Sequence, residues 1–385
     1  MHARRNLFLT LSIQSIELRE IRLPLIHFFE TSFGRTTERR ILLARLTDTD
    51  GAEGWGECTA GEGPFYSDEW TESAWSTLRE FLAPMFLEQV SKGGLPPLFA
   101  AEAHSFMRSV RGHRMAKATL ETACWDLEAK RAGVPLWKHL GGCRTQIACG
   151  VSIGIQDTPE MLLEKIHREV DAGYQRIKIK IKPGWDLKIV ERVRKEFPDI
   201  RLMGDANSAF KLSDVPLFQQ LDQFNLMMLE QPLAHDDIFD HATLQRQIQT
   251  PVCLDESIRT AEDATHAIAL GSCRIINVKL GRVGGHAQAK RVEQVARENK
   301  IPVWCGGMLE SGIGRAHNIA MSTLPGFTLP GDVSASARYW EEDIIEPPVR
   351  VSERGTIMAP ESPGIGFAVN LPRIEALTVR KETIK

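Results

Sequence analysis

From about residue 146 onward, short apolar runs alternate with segments of helical periodicity. The helical segments begin at recognisable N-caps: Thr158, which is followed by proline at the first helical position, and then Ser213 and Thr260. The pattern predicts parallel strands joined by helices, at residues 147–153, 176–182, 201–205, 226–230, 252–255, 274–279, 302–306 and, less clearly, 327–330. Eight such strands predict an α/β fold of the (β/α) barrel type, with an open doubly wound sheet as the alternative.

The first 135 residues or so do not share this repeat. Residues 12–25 alternate as a half-buried strand with one irregularity would, and residues 39–48 and 53–58 flank Asp50-Gly51, a pair suited to a hairpin turn. Helical periodicity then takes over at about 71–90, 99–110 and 115–132. Strands followed by helices predict an α+β domain.

These two patterns divide the chain into domains. We expect an α+β capping domain over residues 1–135, a barrel over 136–345 and a tail over about 346–385 that returns to the first domain. The basic opening, residues 1–10, resembles a signal peptide only faintly, and we interpret it as an end that feeds the first strand.

Three carboxylates close successive apolar runs of the repeat. Asp205 and Glu230 are 25 residues apart, as are Glu230 and Asp255, and Lys279 follows 24 residues later. In a barrel the carboxyl ends of the strands share one mouth, so these groups should meet there. Three neighbouring carboxylates need a cation, and oxygen ligands without histidine or thiolate favour Mg²⁺, with Mn²⁺ as a second possibility. The alternative is that the acids pair with lysines or arginines in ordinary loops.

Lysines supply the second half of the chemistry. Lys178 and Lys180 are two residues apart, so on a strand both face inward, ~7 Å from each other. At an effective dielectric near 20 their repulsion is roughly 2.4 kcal/mol, enough to lower a pKa by about 1.7 and bring one lysine toward the range of a general base. Lys182 shares their parity but should reach solvent at the rim. Lys279 lies four strands of eight further on and should face Lys180 across the mouth, the geometry for removing and returning an α-proton.

Composition narrows the class of protein. The 385 residues carry a net charge of −3, which gives no footprint for nucleic acid or an acidic membrane, and no apolar run reaches the ~18 residues that a membrane span needs. Seven cysteines without a Cys-x-x-Cys pair favour a reducing, cytoplasmic location. The eleven histidines show no zinc-like spacing. We expect a small-molecule carboxylate as the partner and a homo-oligomer as the assembly.

Several weaker signals concern the loops. The segment 281–285 is glycine-rich but matches no nucleotide fingerprint, and its Arg282 is expected either to tune Lys279 or to lie on the surface. The glycines of segment 304–310 would let substrate approach the backbone or would start a tight turn. The apolar loops 28–34 and 57–65 are candidates for a lid over the mouth or for packing elements. Candidate substrate contacts from these loops are Phe29, Gly307, Met308 and Glu310.

The whole motif set resembles a known family. The matching stretches are 173–186 with Lys178 and Lys180, Asp205-Ala206-Asn207, Leu229-Glu230-Gln231-Pro232, Leu254-Asp255-Glu256-Ser257, 277–285, 302–308 and 327–336. Together they resemble the enolase superfamily, its muconate-lactonising-enzyme subgroup and, most closely, the o-succinylbenzoate synthase / N-acylamino acid racemase family. The resemblance runs from about residue 12 to 372 and implies an α+β capping domain on a (β/α)₇β barrel of the TIM type.

The resemblance also implies roles for single residues. Asp205, Glu230 and Asp255 correspond to Mg²⁺ ligands, and Asn207 and Glu256 to groups that orient those ligands. Lys180 corresponds to the general acid/base, with Lys178 lowering its pKa and touching the substrate carboxylate. Lys279 corresponds to the partner on the opposite face. Leu280 departs from the family pattern, because many relatives carry proline there, which puts the local geometry at Lys279 in question.

Two reactions follow from the resemblance. In the synthase reaction a cyclohexadiene carboxylate loses water to give o-succinylbenzoate, a precursor of menaquinone. In the racemase reaction both lysines exchange the α-proton of an N-acyl, often N-succinyl, amino acid. A dipeptide epimerase or muconate cycloisomerase of the same subgroup is an alternative. A non-catalytic barrel that serves as a scaffold is a further alternative, which the retained lysines and acids disfavour.

Overall fold

The computed structural model describes residues 11–32, 34–91 and 99–385. The predicted opening, residues 1–10, and Phe33 of the first candidate lid loop lie outside the described residues. So do residues 92–98, between the first two predicted helical segments.

An antiparallel sheet forms the first domain. Its first three strands are β1 (Ile13–Thr31), β2 (Gly34–Asp48) and β3 (Glu53–Cys58), and it is completed by the last strand of the chain, β15 (Thr378–Ile384). Their order in the sheet is β15-β1-β2-β3. The predicted strands are confirmed, but β1 runs on to Thr31 and its register shifts at three places: between Ile13 and Ser15, beside Glu20, and between Pro24 and Phe29.

Helices cover this sheet. They are α1 (Thr71–Thr77), continued by a π-helical turn (Leu78–Leu82), α2 (Ala83–Ser91), α3 (Ala100–Phe106), α4 (Arg114–Arg131) and α5 (Leu136–His139). Helix α4 is buried along most of its length and lies directly against β3. The contact depends on glycines in β3, since a Cβ on Gly56 would lie 2.0 Å from the carbonyl oxygen of Thr119.

We therefore expect Gly56→Ala to destabilise the protein by about 1–3 kcal/mol, the usual cost of overpacking a close contact. The backbone of α4 cannot yield locally, because Thr122 and Ala123 would also lie within 3.0 Å of the added methyl group. Thermal unfolding measures the effect. Gly61→Ala is the control, because the nearest atom to its Cβ would be 3.6 Å away; equal unfolding midpoints for the two variants would contradict the prediction.

A parallel sheet that curls into a barrel forms the second domain. Within the described residues its seven strands follow one another in chain order: β5 (Val151–Ile153), β6 (Ile177–Lys180), β7 (Leu202–Asp205), β8 (Leu229–Glu230), β9 (Val252–Leu254), β10 (Ile275–Val278) and β11 (Val303–Cys305). The helices between and after them are α6 (Pro159–Asp171), α7 (Leu187–Glu196), α8 (Val215–Leu221), α9 (Phe239–Gln245), α10 (Ala261–Leu270), α11 (Leu280–Val283), α12 (His286–Glu298) and α13 (Gly312–Ser322). The barrel prediction is confirmed, and the open-sheet alternative is wrong.

The eighth predicted strand needs correction. Residues 327–330 form no regular strand; Phe327 bridges Val303 of β11, and Gly331 bridges Cys149 just before β5. These two bridges close the barrel between its first and last strands. The reason for the broken ladder is Pro330, which has no N–H to donate.

The first predicted barrel strand, 147–153, is also divided. Its front part is β4 (Gln146–Ala148), which pairs with β13 (Thr356–Met358) in the tail. The tail also contains β12 (Ile345–Glu346), paired with β14 (Ala368–Val369), and α14 (Leu371–Leu377) before β15. The tail thus returns to the first domain through β15, after contacts with the barrel, and the domain boundaries remain a prediction.

Two of the three predicted helix caps form. The hydroxyl of Thr158 accepts a hydrogen bond from the Met161 amide at 3.2 Å, and that of Thr260 accepts one from Asp263 at 3.1 Å. The Ser213 cap is wrong, because Ser213 lies inside a 3₁₀ turn (Leu212–Asp214) that precedes α8. All seven cysteines are free thiols. Among the helices that the structure describes, none has the length and apolar character of a membrane span.

Candidate active site

A cleft of about 950 Å³ lies between the first domain and the mouth of the barrel. Its walls combine residues from β1, β2 and the loop after β3 with residues at the ends of β5, β6, β7, β10 and β11. Eight predicted site residues line it: Phe29, Lys178, Lys180, Asn207, Lys279, Gly307, Met308 and Glu310. The other five, Asp205, Glu230, Asp255, Glu256 and Arg282, are buried and bonded to residues in the lining.

The three carboxylates lie at the ends of adjacent strands. Asp205 and Glu230 are direct partners in the β7–β8 register, and Asp255 follows β9, the strand beside β8. All three are at most 1% exposed. Parallel strands in register bring them together because each carboxylate closes its strand at the same edge of the barrel.

Each carboxylate faces a cation of the protein itself. Lys180 Nζ lies 2.6 Å from Asp205, Lys178 Nζ lies 3.0 Å from Glu230, and Lys279 Nζ lies 2.7 Å from Asp255. The pairing of acids with lysines is therefore present, but inside the barrel mouth and not in ordinary loops. Within residues 11–32, 34–91 and 99–385, no three His, Cys, Asp or Glu side chains form a ready-made metal-binding group.

The donor set nevertheless fits an oxygen-liganded divalent cation. Burial raises the pKa of Glu230, and the neighbouring charge of Asp205 raises it further, so additional positive charge would be favourable at this point. Glu256 lies next to Asp255, and burial raises its pKa to about 7. Its Oε2 atom is buried and has no hydrogen-bond partner. A buried acceptor without a donor is costly, and a cation beside it would lower that cost.

The two lysines of β6 have different environments. Lys178 is held by Asp332 at 2.7 Å as well as by Glu230 and Asp205. Burial lowers its pKa, but the three carboxylates outweigh burial, so the pKa of Lys178 is raised. For Lys180 burial is again the largest cause and lowers the pKa; Asp205 opposes it, and the charge of Lys178 reinforces it. The pKa of Lys180 is therefore lowered, the direction that the two-residue spacing predicts, although burial contributes more than repulsion.

Lys279 lines the cleft at the end of β10, which is four strands away from β6 in the sheet. Burial lowers its pKa, but Tyr66, Glu230 and Glu256 outweigh burial and raise it. Lys182 is 38% exposed and only distantly paired with Glu30, at 3.7 Å, as expected for a residue at the rim.

Asn207 connects the lysine and carboxylate groups. Its side chain accepts a hydrogen bond from Lys180 at 2.7 Å and donates one to Glu256 at 3.2 Å, while its backbone N–H donates to the Asp205 carboxylate at 3.1 Å. Its φ of 43° lies in the left-handed region, where asparagine is tolerated better than most residues.

Arg282 is buried, with 4% of its surface exposed. Its guanidinium group pairs with Asp255, donates to the Tyr66 hydroxyl at 3.2 Å and donates to the carbonyl oxygen of Ile258 at 2.8 Å. Arg282 and Lys279 thus share the same two partners, Tyr66 and Asp255, so the surface interpretation of Arg282 is wrong.

The two glycines of segment 304–310 have different surroundings: Gly307 lines the cleft, as substrate approach to the backbone would require, whereas Gly306 packs against the neighbouring strand. A Cβ on Gly306 would lie 2.2 Å from Asn277 Oδ1 and 2.7 Å from Lys279 Cε. Gly306 therefore makes room for side chains of the neighbouring strand. Beyond it, Glu310 is buried and accepts hydrogen bonds from the Met308 amide at 2.9 Å and from Asn318 at 2.9 Å.

The end of β3 docks on the barrel through a buried carboxylate. Glu57 accepts hydrogen bonds from the amides of Ser311 and Gly314, at 2.9 and 2.8 Å, at the start of α13. Burial raises the pKa of Glu57 to about 7. Phe29 and Thr31 of segment 28–34 and Thr59, Gly61 and Glu62 of segment 57–65 line the cleft, so both candidate lid segments form part of its wall.

Three residues at the site escaped the sequence analysis as functional groups: Tyr66, Asn277 and Asp332. Asn277 donates to Glu230 at 2.6 Å and shares the parity of Lys279, a signal that inspection of β10 would have found. Asp332 follows the eighth strand segment and binds Lys178 together with Arg176, which lies 2.6 Å away. Tyr66 has no local signal beyond its position one residue after a candidate lid loop.

Family models match both domains. Residues 15–141 match the model described as mandelate racemase / muconate lactonizing enzyme, N-terminal domain, and residues 161–373 match the model described as enolase C-terminal domain-like. Among solved structures, an enolase superfamily member from Listeria innocua superposes with a TM-score of 0.92 at 40% identity, covering 97% of this chain and 99% of its own.

The chain is similar over nearly its whole length to relatives that carry two different enzyme names. An o-succinylbenzoate synthase of Geobacillus kaustophilus is 50% identical over 372 residues, which is 96% of this chain and 97% of the relative. An N-succinylamino acid racemase of Thermus thermophilus is 48% identical over 368 residues, 95% of this chain and 97% of the relative. Identity alone therefore separates the two names by only two percentage points.

Proposed function

The chain belongs to the mandelate racemase / muconate lactonizing enzyme family of the enolase superfamily, and we propose that it is an o-succinylbenzoate synthase that also racemises N-succinylamino acids. The observation that carries the proposal is the placement of Lys180 and Lys279 in one cleft, above three buried carboxylates. This arrangement provides two proton-transfer groups and a site for developing negative charge.

Enzymes of this family generally depend on a divalent metal. We propose Mg²⁺, held by Asp205, Glu230 and Asp255, with Asn207 and Glu256 orienting those ligands. When bound, such an ion supplies electrostatic stabilisation for the charge that develops on the substrate carboxylate as the α-proton leaves. Because hard oxygen ligands suit Mg²⁺ and Mn²⁺ alike, Mn²⁺ should substitute for Mg²⁺.

The lysines perform the proton transfers. Lys180, whose pKa is lowered, is the group best able to be neutral and remove the α-proton. In the dehydration, the same ammonium group then protonates the departing hydroxyl, and Lys279 remains charged and stabilises the enediolate from the opposite face. In the racemisation, Lys279 delivers a proton to that opposite face. Lys178, fixed by Asp332, keeps its positive charge beside the substrate carboxylate.

One cleft can serve both reactions because the two substrates share their reacting parts. Each has a carboxylate, an acidic α-carbon and a succinyl arm. The cleft wall opposite the lysines comes from the first domain and includes Phe29, Thr36 and Arg39. We propose that this wall, with Gly307, Met308 and Glu310, receives the remainder of the substrate.

A dipeptide epimerase is less well supported. An acidic pair near the eighth strand would be needed for the substrate ammonium group, and Asp332 is followed by Val333-Ser334 instead of a second acid. Asp332 is already paired with Arg176 at 2.6 Å and Lys178 at 2.7 Å. Burial raises its pKa, but those two cations outweigh burial and lower it.

Seven free thiols support a cytoplasmic location; the homo-oligomer remains part of the proposal.

A paired assay in Mg²⁺ buffer tests the function. One arm follows loss of absorbance as the cyclohexadiene carboxylate is dehydrated; the other follows α-deuterium uptake by N-succinyl-phenylalanine in heavy water. We expect both activities, with the larger kcat/KM for dehydration. Comparable or faster deuterium uptake would make racemisation the main function, whereas no turnover in either arm would refute the proposed substrates.

A further inference from the structure

Tyr66, from the first domain, reaches the proton-transfer machinery of the barrel. It lies in the loop between β3 and α1, is half-buried, and lines the cleft. Its hydroxyl oxygen lies 3.1 Å from Lys279 Nζ, 3.0 Å from Asp255 Oδ1 and 3.2 Å from Arg282 Nη1. The Lys279 ammonium nitrogen also lies 4.4 Å from the centre of the Tyr66 ring.

We propose that Tyr66 is a positioning residue for Lys279: through its hydroxyl, the docked loop of the first domain aims the Lys279 amine at the substrate. The inference rests on the proposed racemase activity, because only the rate of proton transfer between Lys279 and the substrate shows whether the Lys279 amine is correctly oriented.

The hydrogen-bonding capacity of the hydroxyl supports this assignment. A tyrosine hydroxyl has one proton to donate and two lone pairs that accept. Lys279 and Arg282 are donors, so the oxygen accepts from both, and its proton is left for Asp255. All three capacities of the hydroxyl are then used, and its orientation is fixed.

The same count applies to Lys279. Its nitrogen contacts Asp255 Oδ2 at 2.7 Å and the Tyr66 hydroxyl at 3.1 Å, the two hydrogen bonds that the described residues offer it. A neutral amine has two N–H bonds and one lone pair, so these two partners take the two N–H bonds and direct the lone pair into the cleft. Without the hydroxyl, one N–H loses its acceptor and the amine can rotate away from the reacting carbon.

Lys180 provides an internal comparison. Its hydrogen bonds go to Asp205 and Asn207, and Tyr66 takes part in none of those that the described residues show. Loss of the Tyr66 hydroxyl should therefore affect one face of the substrate and leave the other face nearly unchanged. A residue that merely held the fold together would affect both faces.

The test measures α-deuterium uptake into each enantiomer of N-succinyl-phenylalanine separately, with the full-length enzyme in Mg²⁺ buffer. Lys279→Ala identifies which enantiomer presents its α-proton to Lys279. For Tyr66→Phe we expect uptake into that enantiomer to fall about 10- to 30-fold in kcat, because one buried N–H of Lys279 loses its acceptor. Uptake into the other enantiomer should stay within about threefold of wild type.

Two outcomes would overturn the proposal: equal losses for both enantiomers, or no loss for either. Equal losses accompanied by a higher Mg²⁺ concentration at half-saturation would place the effect on Asp255 instead. Tyr174→Phe is the matched control, because it removes a hydroxyl that accepts from the Ala335 amide at 3.2 Å outside the cleft; thermal unfolding of both variants checks the fold. If the wild-type enzyme exchanges neither enantiomer, the racemase proposal itself fails and the inference fails with it.

Discussion

Lys180→Ala is expected to lose both dehydration and α-proton exchange, with kcat lower by about 10³- to 10⁴-fold. The reason is that a positioned general acid/base contributes about 10²- to 10⁴-fold, and Lys180 serves the dehydration as base and then as acid. Steady-state kinetics with the cyclohexadiene carboxylate and deuterium uptake with N-succinyl-phenylalanine measure the two losses.

The control for this experiment is Lys182→Ala, a lysine of the same strand parity that is 38% exposed at the rim and should retain activity. Lys180→Ala also leaves Asp205 without its closest cation, so thermal unfolding in Mg²⁺ must confirm that the variant folds. A folded Lys180→Ala enzyme with kcat within tenfold of wild type would exclude Lys180 as the general base.

The second large effect concerns the carboxylates. Chelation should abolish turnover, because without the metal the charge that develops on the substrate loses its main stabilisation. Added Mg²⁺ should restore the activity. Glu230→Gln should lower kcat/KM by at least about 10²-fold, since Glu230 is fully buried between Asp205 and Asp255 along the sheet and its position cannot be taken by another acid.

Thermal unfolding gives a reading of the same site that does not depend on activity. A ligand that binds only the folded state stabilises it by about 2.7 kcal/mol at 100 times its dissociation constant. Mg²⁺ should therefore raise the unfolding midpoint of the wild-type protein and have little effect on Glu230→Gln, with NaCl of matched ionic strength as the control. A midpoint that Mg²⁺ leaves unchanged in the wild-type protein would argue against a metal site at these residues.

Much of this architecture is readable from local patterns. The alternation in β1, the hairpin turn at Asp50-Gly51 and the caps at Thr158 and Thr260 each depend on residues close together in the chain, whose backbone preferences act directly. The spacing of Asp205, Glu230 and Asp255 carries over to three dimensions because each strand-and-helix unit has nearly the same length. Where a single residue breaks the repeat, as Pro330 does, the predicted strand does not form.

The contacts among the site residues cannot be read from local patterns in the same way. Tyr66 and Lys279 are 213 residues apart, and Arg176 and Asp332 are 156 apart. Neither contact leaves a periodic signal, because each depends on how the first domain docks or on how the barrel closes. The spacing of Lys178 and Lys180 does not say which of them has the lowered pKa, and only the family resemblance assigned it to Lys180. The structure supplies the physical reason, because Asp332 pairs with Lys178 and raises the pKa of that lysine.

The sequence by itself thus determined the barrel, the capping sheet and the identity of the charged groups at the mouth, since period and spacing fix which way a side chain points. Only the tertiary structure decided how those charges are paired, why Lys180 is the better base, and that a tyrosine of the capping domain contacts Lys279. The physical reason is that hydrogen bonds and burial act over a few ångströms, whereas the residues that make them here are far apart along the chain.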